Sequence, residues 1–162
     1  MTHEVQGQDW YRNLLKVVEE THRGETDKLG NAQSEHFERV TLRLLRLFPQ
    51  ATRGQVEASM LHDALEPGRP AIDLEAAGVT EEAVRILKLI TLPTDGRTYL
   101  QYMEDLGDTN DVAAIQVKLA DNLDATEIYS SLTTREAQHM VEGVYNPSRR
   151  ILQDALIRNA SQ

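Results

Sequence analysis

The sequence predicts an all-α protein of about seven helices, and three observations support this fold class. Apolar residues recur at helical spacing along nearly all of its 162 residues. Serine or threonine residues that can cap a helix precede most of these periodic segments. Alternating β-branched and aromatic residues between turns, which are typical of strands, are absent. A single domain over residues 1–162 is expected.

Three helices are expected in the first part of the chain, and apolar periodicity and caps define them. They span about residues 9–22, from the Ser34 cap to Phe48-Pro49, and from the Thr52–Gln55 capping box to Glu66. The polar stretch HRGETDKLGNAQ forms a loop between the first two helices. Pro67-Gly68 predicts the end of the third, because neither residue favours a continuing helix.

The remaining helices follow a loop at residues 67–79 that contains a short helical turn. They run from the Thr80 cap to Ile90, from the Thr98–Gln101 capping box past Leu106, from about Asn110 to Tyr129, and, as one or two helices interrupted by Asn146-Pro147, after Thr133. The segment LPTDGR forms a loop before the Thr98 cap.

Composition excludes several functional classes. The chain has 17 Lys and Arg against 26 Asp and Glu, a formal net charge of −9, so broad nucleic-acid binding is not expected. No cysteine is present, which excludes disulfides and thiolate metal sites. Neither a signal peptide nor an apolar run of the ~20 residues that cross a bilayer is visible, so we expect a cytoplasmic protein without membrane contact.

Five histidines are candidates for chemistry. Three of them lie in polar contexts and are expected at the surface or at helix caps: His3, His22 and His139. His36 begins an amphipathic helix directly before Phe37 and can point inward. Its residue type and position fit either a structural histidine or a metal ligand.

The adjacent His62 and Asp63 interrupt an apolar run, where an unpartnered polar pair costs free energy. Neighbours on a helix diverge by about 100°. Both side chains can therefore reach one ion only at the edge of the helix, in a site between helices. The alternative is that Asp63 accepts a hydrogen bond from His62 or from a nearby cap.

Asp121 continues a partly apolar face of the long helix, so its carboxylate needs a cation. That cation is either Lys118 or a metal ion. Asp124 is expected to be solvated, and Asn122 fits either environment.

Together, His36, His62, Asp63 and Asp121 form a mixed nitrogen and oxygen set on three helices. Such a set suits Mn²⁺, Fe²⁺ or Zn²⁺ better than Ca²⁺ or Mg²⁺, which prefer oxygen ligands. An ion held this way can activate water and neutralise phosphate oxygens. Glu66 follows His62 by four residues and Asp63 by three, so on a helix all three face one cleft.

With this set of residues, the sequence resembles the HD-domain metal-dependent phosphohydrolases, whose metal ligands occur in the order H…HD…D. Within them it is most similar to the RelA/SpoT-type (p)ppGpp hydrolase domains and the small alarmone hydrolases. Four segments carry the resemblance: THRGETDKLGNAQSEH (21–36), ASMLHDALEPG (58–68), LEAAGVTEEAVRILKLIT (74–91) and AIQVKLADNLDATE (114–127). The resemblance covers about residues 10–155 and implies an HD-domain helical bundle.

The resemblance also implies roles for individual residues. The metal ligands would be His36, His62, Asp63 and Asp121, with Mn²⁺ as the expected ion. Glu66 would orient or activate the attacking water, next to the catalytic His62-Asp63 pair. Tyr145 would lie beside the nucleotide. The expected partner is a small nucleotide, from which the enzyme would remove pyrophosphate; the sequence indicates no particular oligomeric state.

Three positions depart from the alarmone hydrolase pattern. Pro67 replaces the acid that follows the glutamate, Glu25 lies where a basic residue often stacks on guanine, and Ala125 replaces an asparagine. Two alternatives therefore stay open. The protein could be an HD phosphohydrolase for another nucleotide or phosphate ester, or an HD domain that senses a nucleotide without hydrolysing it.

Overall fold

The computed structural model describes residues 2–161, and within them the chain is helical with no strand. The α-helices are α1 (Thr2–Gln6), α2 (Asp9–Thr21), α3 (Gln33–Leu47), α4 (Arg53–Met60), α5 (Glu81–Ile90), α6 (Tyr99–Asp108), α7 (Val112–Ser130), α8 (Arg135–Met140) and α9 (Asn146–Ala160). A π-helical turn, Val141–Tyr145, joins α8 to α9. The predicted all-α class is confirmed. The short α1 is an additional helix that the sequence did not predict.

Helix α7 lies at the centre of the bundle and packs against α3, α4, α5 and α9. Its apolar residues Ile115, Val117 and Ala120 are buried, but so are polar residues on the same helix, Lys118 and Asp124. A helix with buried residues around most of its circumference is a core helix. Polar groups on α7 therefore have to find partners inside the protein.

Helix α4 is the second central element, and all of its residues from Gly54 to Met60 are buried. The predicted capping box is present, since Thr52 and Gln55 exchange hydrogen bonds at its start. The predicted end near Glu66 is wrong, because the helix stops at Met60 and turns follow. The ring of His62 lies 2.9 Å from the Ser59 carbonyl, which a continuing α-helix would offer to the amide of residue 63.

Ser34 does not cap α3, contrary to the sequence-based expectation. The helix begins two residues earlier than that cap predicts, at Gln33 after Ala32, and Ala32 forms an isolated antiparallel bridge with Thr26. That bridge, together with the hydrogen bond from the Gln33 amide to the Glu25 carbonyl, closes the loop and fixes where the helix starts. The predicted caps Thr80 and Thr98 are both present.

The predicted interruption at Asn146-Pro147 is a wide turn in a continuous helical run. The amide of Asn146 bonds the carbonyl of Val141, five residues back, and Pro147 then lies in the first turn of α9. Proline is tolerated there because it has no amide hydrogen to leave unpaired. The chain therefore passes the proline without a break.

The apolar core lies between α2, α3, α4, α5, α6, α7 and α9. Its largest fully buried side chains are Tyr11, Phe37, Leu44, Met60, Leu61, Ile86, Leu87, Ile90, Met103, Leu106, Ile115 and Leu152. No helix in the described part of the chain is both long enough and apolar enough to cross a membrane.

Candidate metal centre and nucleotide cavity

A cavity of about 480 Å³ opens beside α7, within the size range of small-molecule sites. Its walls come from the loop before α3, the turns after α4, the start of α6, the middle of α7 and the π-helical turn. All six residues that the sequence proposed for the site line it: His36, His62, Asp63, Glu66, Asp121 and Tyr145. Segments far apart in sequence therefore meet at one cavity.

Three of these side chains converge at the floor of the cavity. His36, His62 and Asp121 each offer one ligand atom, and these atoms lie within 4.8 Å of one another. The Nε2 atoms of the two histidines are 3.2 Å apart, and Oδ1 of Asp121 is 3.4 Å from Nε2 of His62 and 3.9 Å from Nε2 of His36.

The size of this triangle fits one first-row metal ion. The point equidistant from its three corners lies about 2.0 Å from each, close to the ~2.0–2.2 Å at which Zn²⁺ binds imidazole nitrogen and carboxylate oxygen. Three side chains leave further coordination positions for other ligands. The residues present therefore fit a divalent ion.

Hydrogen bonds to the far nitrogen of each histidine ring also indicate a cation site. Nδ1 of His62 lies 2.9 Å from the Ser59 carbonyl, which only accepts, so Nδ1 carries the proton. Nδ1 of His36 lies 2.6 Å from Oδ2 of Asp124, which assigns the proton in the same way. In the neutral form of the two rings, both Nε2 atoms then present lone pairs to each other and to Asp121. Such a cluster of acceptors needs a cation between them.

Asp124 is not solvated as the sequence suggested, because its side chain is only 1% exposed. It accepts hydrogen bonds from His36, from Arg39 at 3.1 Å and from Arg43 at 3.5 Å. Burial alone would raise the pKa of Asp124, but the hydrogen bonds from His36 and Arg39 hold it below its ordinary value. The residue lies three positions after Asp121 and so shares its face of α7. This spacing is visible in the sequence, but the arginines of α3 that face Asp124 are not.

Asp121 faces both of the partners that the sequence left open, Lys118 and the candidate ion site. Its Oδ1 faces the histidines, while Oδ2 accepts a hydrogen bond from Nζ of Lys118 at 3.0 Å. Burial alone would raise the pKa of Asp121, yet His62, Lys118 and His36 hold it well below its ordinary value. The lysine thus fixes the carboxylate without occupying the oxygen that faces the ion site.

Asp63 lies on the cavity wall but outside the group of three converging ligands. Its side chain is 5% exposed, and its Oδ2 is buried without a hydrogen-bond partner among the described residues. The nearest cation is Arg69, whose Nε lies 3.4 Å from that oxygen. A buried carboxylate oxygen that lacks a hydrogen bond from the described residues and lies on the wall of the same cavity is consistent with a ligand role, which stays a prediction for Asp63.

Glu66 also lines the cavity, although not through the helical spacing that the sequence suggested. Tight turns follow α4, with the Ala64 amide bonded to the Leu61 carbonyl and the Glu66 amide to the Asp63 carbonyl. These turns, and not a continuing helix, bring Glu66 to the cavity. There, Oε2 of Glu66 lies 3.8 Å from Nε of Arg69. Sequence reasoning missed Arg69. The only signal was its position one residue after the Pro-Gly pair.

Tyr145 forms another wall of the cavity with Tyr129, and the two ring centroids are 5.1 Å apart. Burial, followed by the neighbouring Tyr129, raises the pKa of Tyr145 above its ordinary value. The ammonium group of Lys28 lies 5.2 Å from the centroid of the Tyr129 ring. Lys28 and Tyr129 were not among the predicted site residues. The contact of Tyr145 with a nucleotide stays a prediction.

The histidines outside the site differ in their environments. His139 is exposed, as expected, and the side chain of His3 lies outside the described residues. His22 occupies the C-cap position of α2, but it is buried instead of exposed. Its Nδ1 lies 2.9 Å from Glu25, and its ring packs on Phe37 with centroids 4.6 Å apart. This contact also explains why a glutamate occupies position 25, since its side chain faces His22 and not the cavity. Lys28 is then the basic residue that the loop contributes to the cavity.

A solved structure of a metazoan ortholog of SpoT, which hydrolyzes ppGpp and plays a role in starvation responses, aligns with a TM-score of 0.70. The alignment covers 96% of this chain and 96% of that chain, at 20% sequence identity. The two proteins share a fold. This confirms the fold that the sequence resemblance implied. No protein-family model and no curated protein sequence matches the chain.

Proposed function

We propose that the protein is a divalent-metal-dependent phosphohydrolase that removes pyrophosphate from (p)ppGpp-like alarmone nucleotides. The observation that carries the proposal is the convergence of His36, His62 and Asp121 at the floor of a nucleotide-sized cavity. The fold shared with a protein that hydrolyzes ppGpp supports the choice of substrate. A single domain and a cytoplasmic location are part of the same proposal.

The residues that would hold the ion are His36, His62, Asp63 and Asp121, with Mn²⁺ as the proposed ion. When bound, a divalent ion neutralises phosphate oxygens and makes water more acidic. Asp124 holds His36 with its Nε2 directed at the site, and Lys118 holds Asp121. Preorganised ligands of this kind lose little free energy to reorganisation when the ion binds.

Glu66 would act on the attacking water. It lies on the same cavity as the ligand set, and a carboxylate can accept a proton from water as the new oxygen–phosphorus bond forms. The bond between phosphorus and the ribose 3′ oxygen then breaks, the 3′ oxygen takes up a proton from solvent to become a hydroxyl, and pyrophosphate leaves. Tyr145 and Tyr129 would pack against the nucleoside, and Lys28 would supply positive charge at that wall.

Two positions favour a second candidate, an HD phosphohydrolase for another nucleotide or phosphate ester. Pro67 removes an acid beside Glu66, and Ala125 lines the cavity where the alarmone pattern has an amide. The first change concerns catalysis of alarmone hydrolysis and the second concerns contact with the substrate, and both leave the ligand set intact. A domain that binds a nucleotide without turnover would share the same ligand set.

The test is release of pyrophosphate and phosphate from a panel of nucleotides, with Mn²⁺ or with EDTA. The proposal expects pyrophosphate from ppGpp with Mn²⁺ and none with EDTA. Turnover of a different nucleotide in place of ppGpp would support the second candidate. Nucleotide binding without turnover of any compound in the panel would support the sensing domain.

A further inference from the structure

Residues 66–69, Glu-Pro-Gly-Arg, form a tight turn that returns the chain to the cavity. The amide of Arg69 donates to the Glu66 carbonyl at 3.3 Å, and Gly68 has a φ of +81°. Proline at the second position and a positive φ at the third define a type II turn. The departure from the alarmone pattern at Pro67 thus has a structural consequence, because the turn brings Arg69 back beside Glu66.

Arg69 is the cation nearest to the carboxylates of Asp63 and Glu66. Its Nε lies 3.4 Å from Oδ2 of Asp63 and 3.8 Å from Oε2 of Glu66. Neither separation is a well-formed hydrogen bond, and within residues 2–161 no group donates a hydrogen bond to Oδ2 of Asp63. Arg69 therefore balances the charge of both carboxylates without being locked to either. Its side chain is 42% exposed, which leaves it room to turn.

The other cations of the cavity have different surroundings. Lys118 donates to Asp121, and Lys28 lies over the Tyr129 ring. The wall formed by Asp63 and Glu66 would repel a phosphate group unless a cation accompanied it. Arg69 is the cavity cation at that wall, and its planar guanidinium can donate two parallel hydrogen bonds to a phosphate.

We infer that Arg69 is a phosphate-binding residue that exchanges partners during ligand binding. Without ligands it neutralises Asp63 and Glu66. Asp63 would then be held by a divalent ion in the loaded protein, and the guanidinium would turn from Asp63 to a phosphate group of the nucleotide. This inference rests on the proposed function and deepens it, since it assigns the contact for the substrate's phosphates to a residue outside the metal ligand set.

Two binding measurements with opposite expected signs test the exchange. Calorimetry first measures Mn²⁺ binding to the metal-stripped wild type and to Arg69→Gln. The variant should bind Mn²⁺ about two- to fivefold more tightly, because a competing, partly exposed cation is gone. The Mn²⁺-loaded proteins are then titrated with inorganic phosphate, which the variant should bind about tenfold more weakly. Damage to the fold alone would weaken both.

Two further variants serve as controls. Arg69→Lys keeps the charge but not the paired donors, so it should bind Mn²⁺ like the wild type and phosphate with intermediate affinity. Arg97→Gln removes an arginine of similar exposure, 40%, that pairs with Asp95 and Asp105 away from the cavity. It should change neither affinity.

Unchanged or weaker Mn²⁺ binding by Arg69→Gln would overturn the exchange, and unchanged phosphate binding would overturn the phosphate contact. Neither measurement requires turnover. Failure of the proposed function would instead appear as wild-type protein that binds Mn²⁺ and phosphate but releases no pyrophosphate from ppGpp. The two failures are therefore distinguishable.

Discussion

Asp124 illustrates how one buried carboxylate prepares a histidine for an ion. It accepts a hydrogen bond from Nδ1 of His36 and is itself held by Arg39 and Arg43. The tautomer that results leaves Nε2 of His36 with a lone pair aimed at His62 and Asp121. Changing Asp124 should therefore act on metal affinity through His36, although Asp124 is not itself a ligand.

Asp124→Asn should lower Mn²⁺ affinity about tenfold, the lower end of the usual effect of losing such a partner. The amide keeps the shape of the side chain but loses the charge that favours the ring proton. Calorimetry on the metal-stripped protein measures the change. The matched control is Glu127→Gln, which removes the exposed second partner of Arg43 on the same helix. Equal affinities for Asp124→Asn and the wild type would contradict the role of Asp124.

Glu66→Gln tests the proposed proton acceptor. The amide is nearly isosteric, so Mn²⁺ binding should stay close to that of the wild type, while pyrophosphate release should fall about a hundredfold. Steady-state assays with ppGpp, together with calorimetry, separate the two effects. Glu75→Gln, a change of an exposed glutamate in the following loop, is the control. Full turnover by Glu66→Gln would remove this residue from the mechanism.

At the scale of elements, the segment after α4 decides how the site is built. A helix continuing through His62 and Asp63 would place Glu66 by regular spacing, but the chain instead leaves the helix at Met60. Successive turns and the type II turn at Pro67-Gly68 then bring Glu66 and Arg69 to one wall of the cavity. The position of Pro67 is thus a turn position, which can accept other residues.

Pro67→Asp should restore the second acid of the alarmone pattern while keeping the turn, because Gly68 still supplies the positive φ. The loss of the proline's rigidity should cost about 0.4–1 kcal/mol of stability. If the missing acid limits catalysis, pyrophosphate release from ppGpp should rise relative to the wild type. Chemical denaturation and the ppGpp assay measure these effects, with Pro93→Asp in a remote loop as the control. A ppGpp rate that stays at the wild-type value would show that this acid does not limit catalysis here.

Helix α6 is attached to the end of α5 by the hydroxyl of Tyr102, which donates to the Leu89 carbonyl. Burial raises the pKa of Tyr102 to about 12, from an ordinary value of 10.0. The folded state therefore keeps the phenol proton more tightly than the unfolded state does. The resulting stabilisation is present below pH 10 and is lost as the pH rises toward 12.

Tyr102→Phe should reduce the loss of stability at alkaline pH. The variant should be about 1 kcal/mol less stable at neutral pH, because the buried carbonyl loses its partner. Its free energy of unfolding should then fall less steeply than that of the wild type between pH 10 and 12. Urea unfolding over a pH series gives both values. Parallel curves for the two proteins would contradict the assignment.

At the scale of the whole molecule, an ion would join separate parts of the bundle. Its proposed ligands come from α3, from the turns after α4 and from α7, which are separated by long stretches of chain. A ligand that binds only the folded state stabilises it. The ion should therefore contribute to the stability of the whole domain.

Removal of the metal with EDTA should lower Tm by about 5–10 °C, relative to protein in Mn²⁺ at ~100 times its Kd. Differential scanning calorimetry measures the shift. Asp63→Ala should melt like the stripped protein and respond little to EDTA. A large response of that variant would show that Asp63 is not a ligand, whereas a wild type indifferent to EDTA would contradict the ion site.

The sequence by itself determined the helical class, most helix starts and the residue types of the ion site. These follow from local physics: apolar periodicity defines helices, and Thr52, Thr80 and Thr98 satisfy the amides at their starts. The order of His36, His62, Asp63 and Asp121 pointed to a shared cavity because polar groups in apolar surroundings need partners.

Only the tertiary structure decided which side chains meet and in what form. The end of α4 at Met60, the burial of Asp124 and the place of Arg69 depend on contacts between residues distant in sequence or on turn geometry. Asp124 looks like a surface residue until Arg39 and Arg43 of α3 are placed against it. Local spacing specifies which face of a helix a residue occupies, whereas packing specifies what opposes that face.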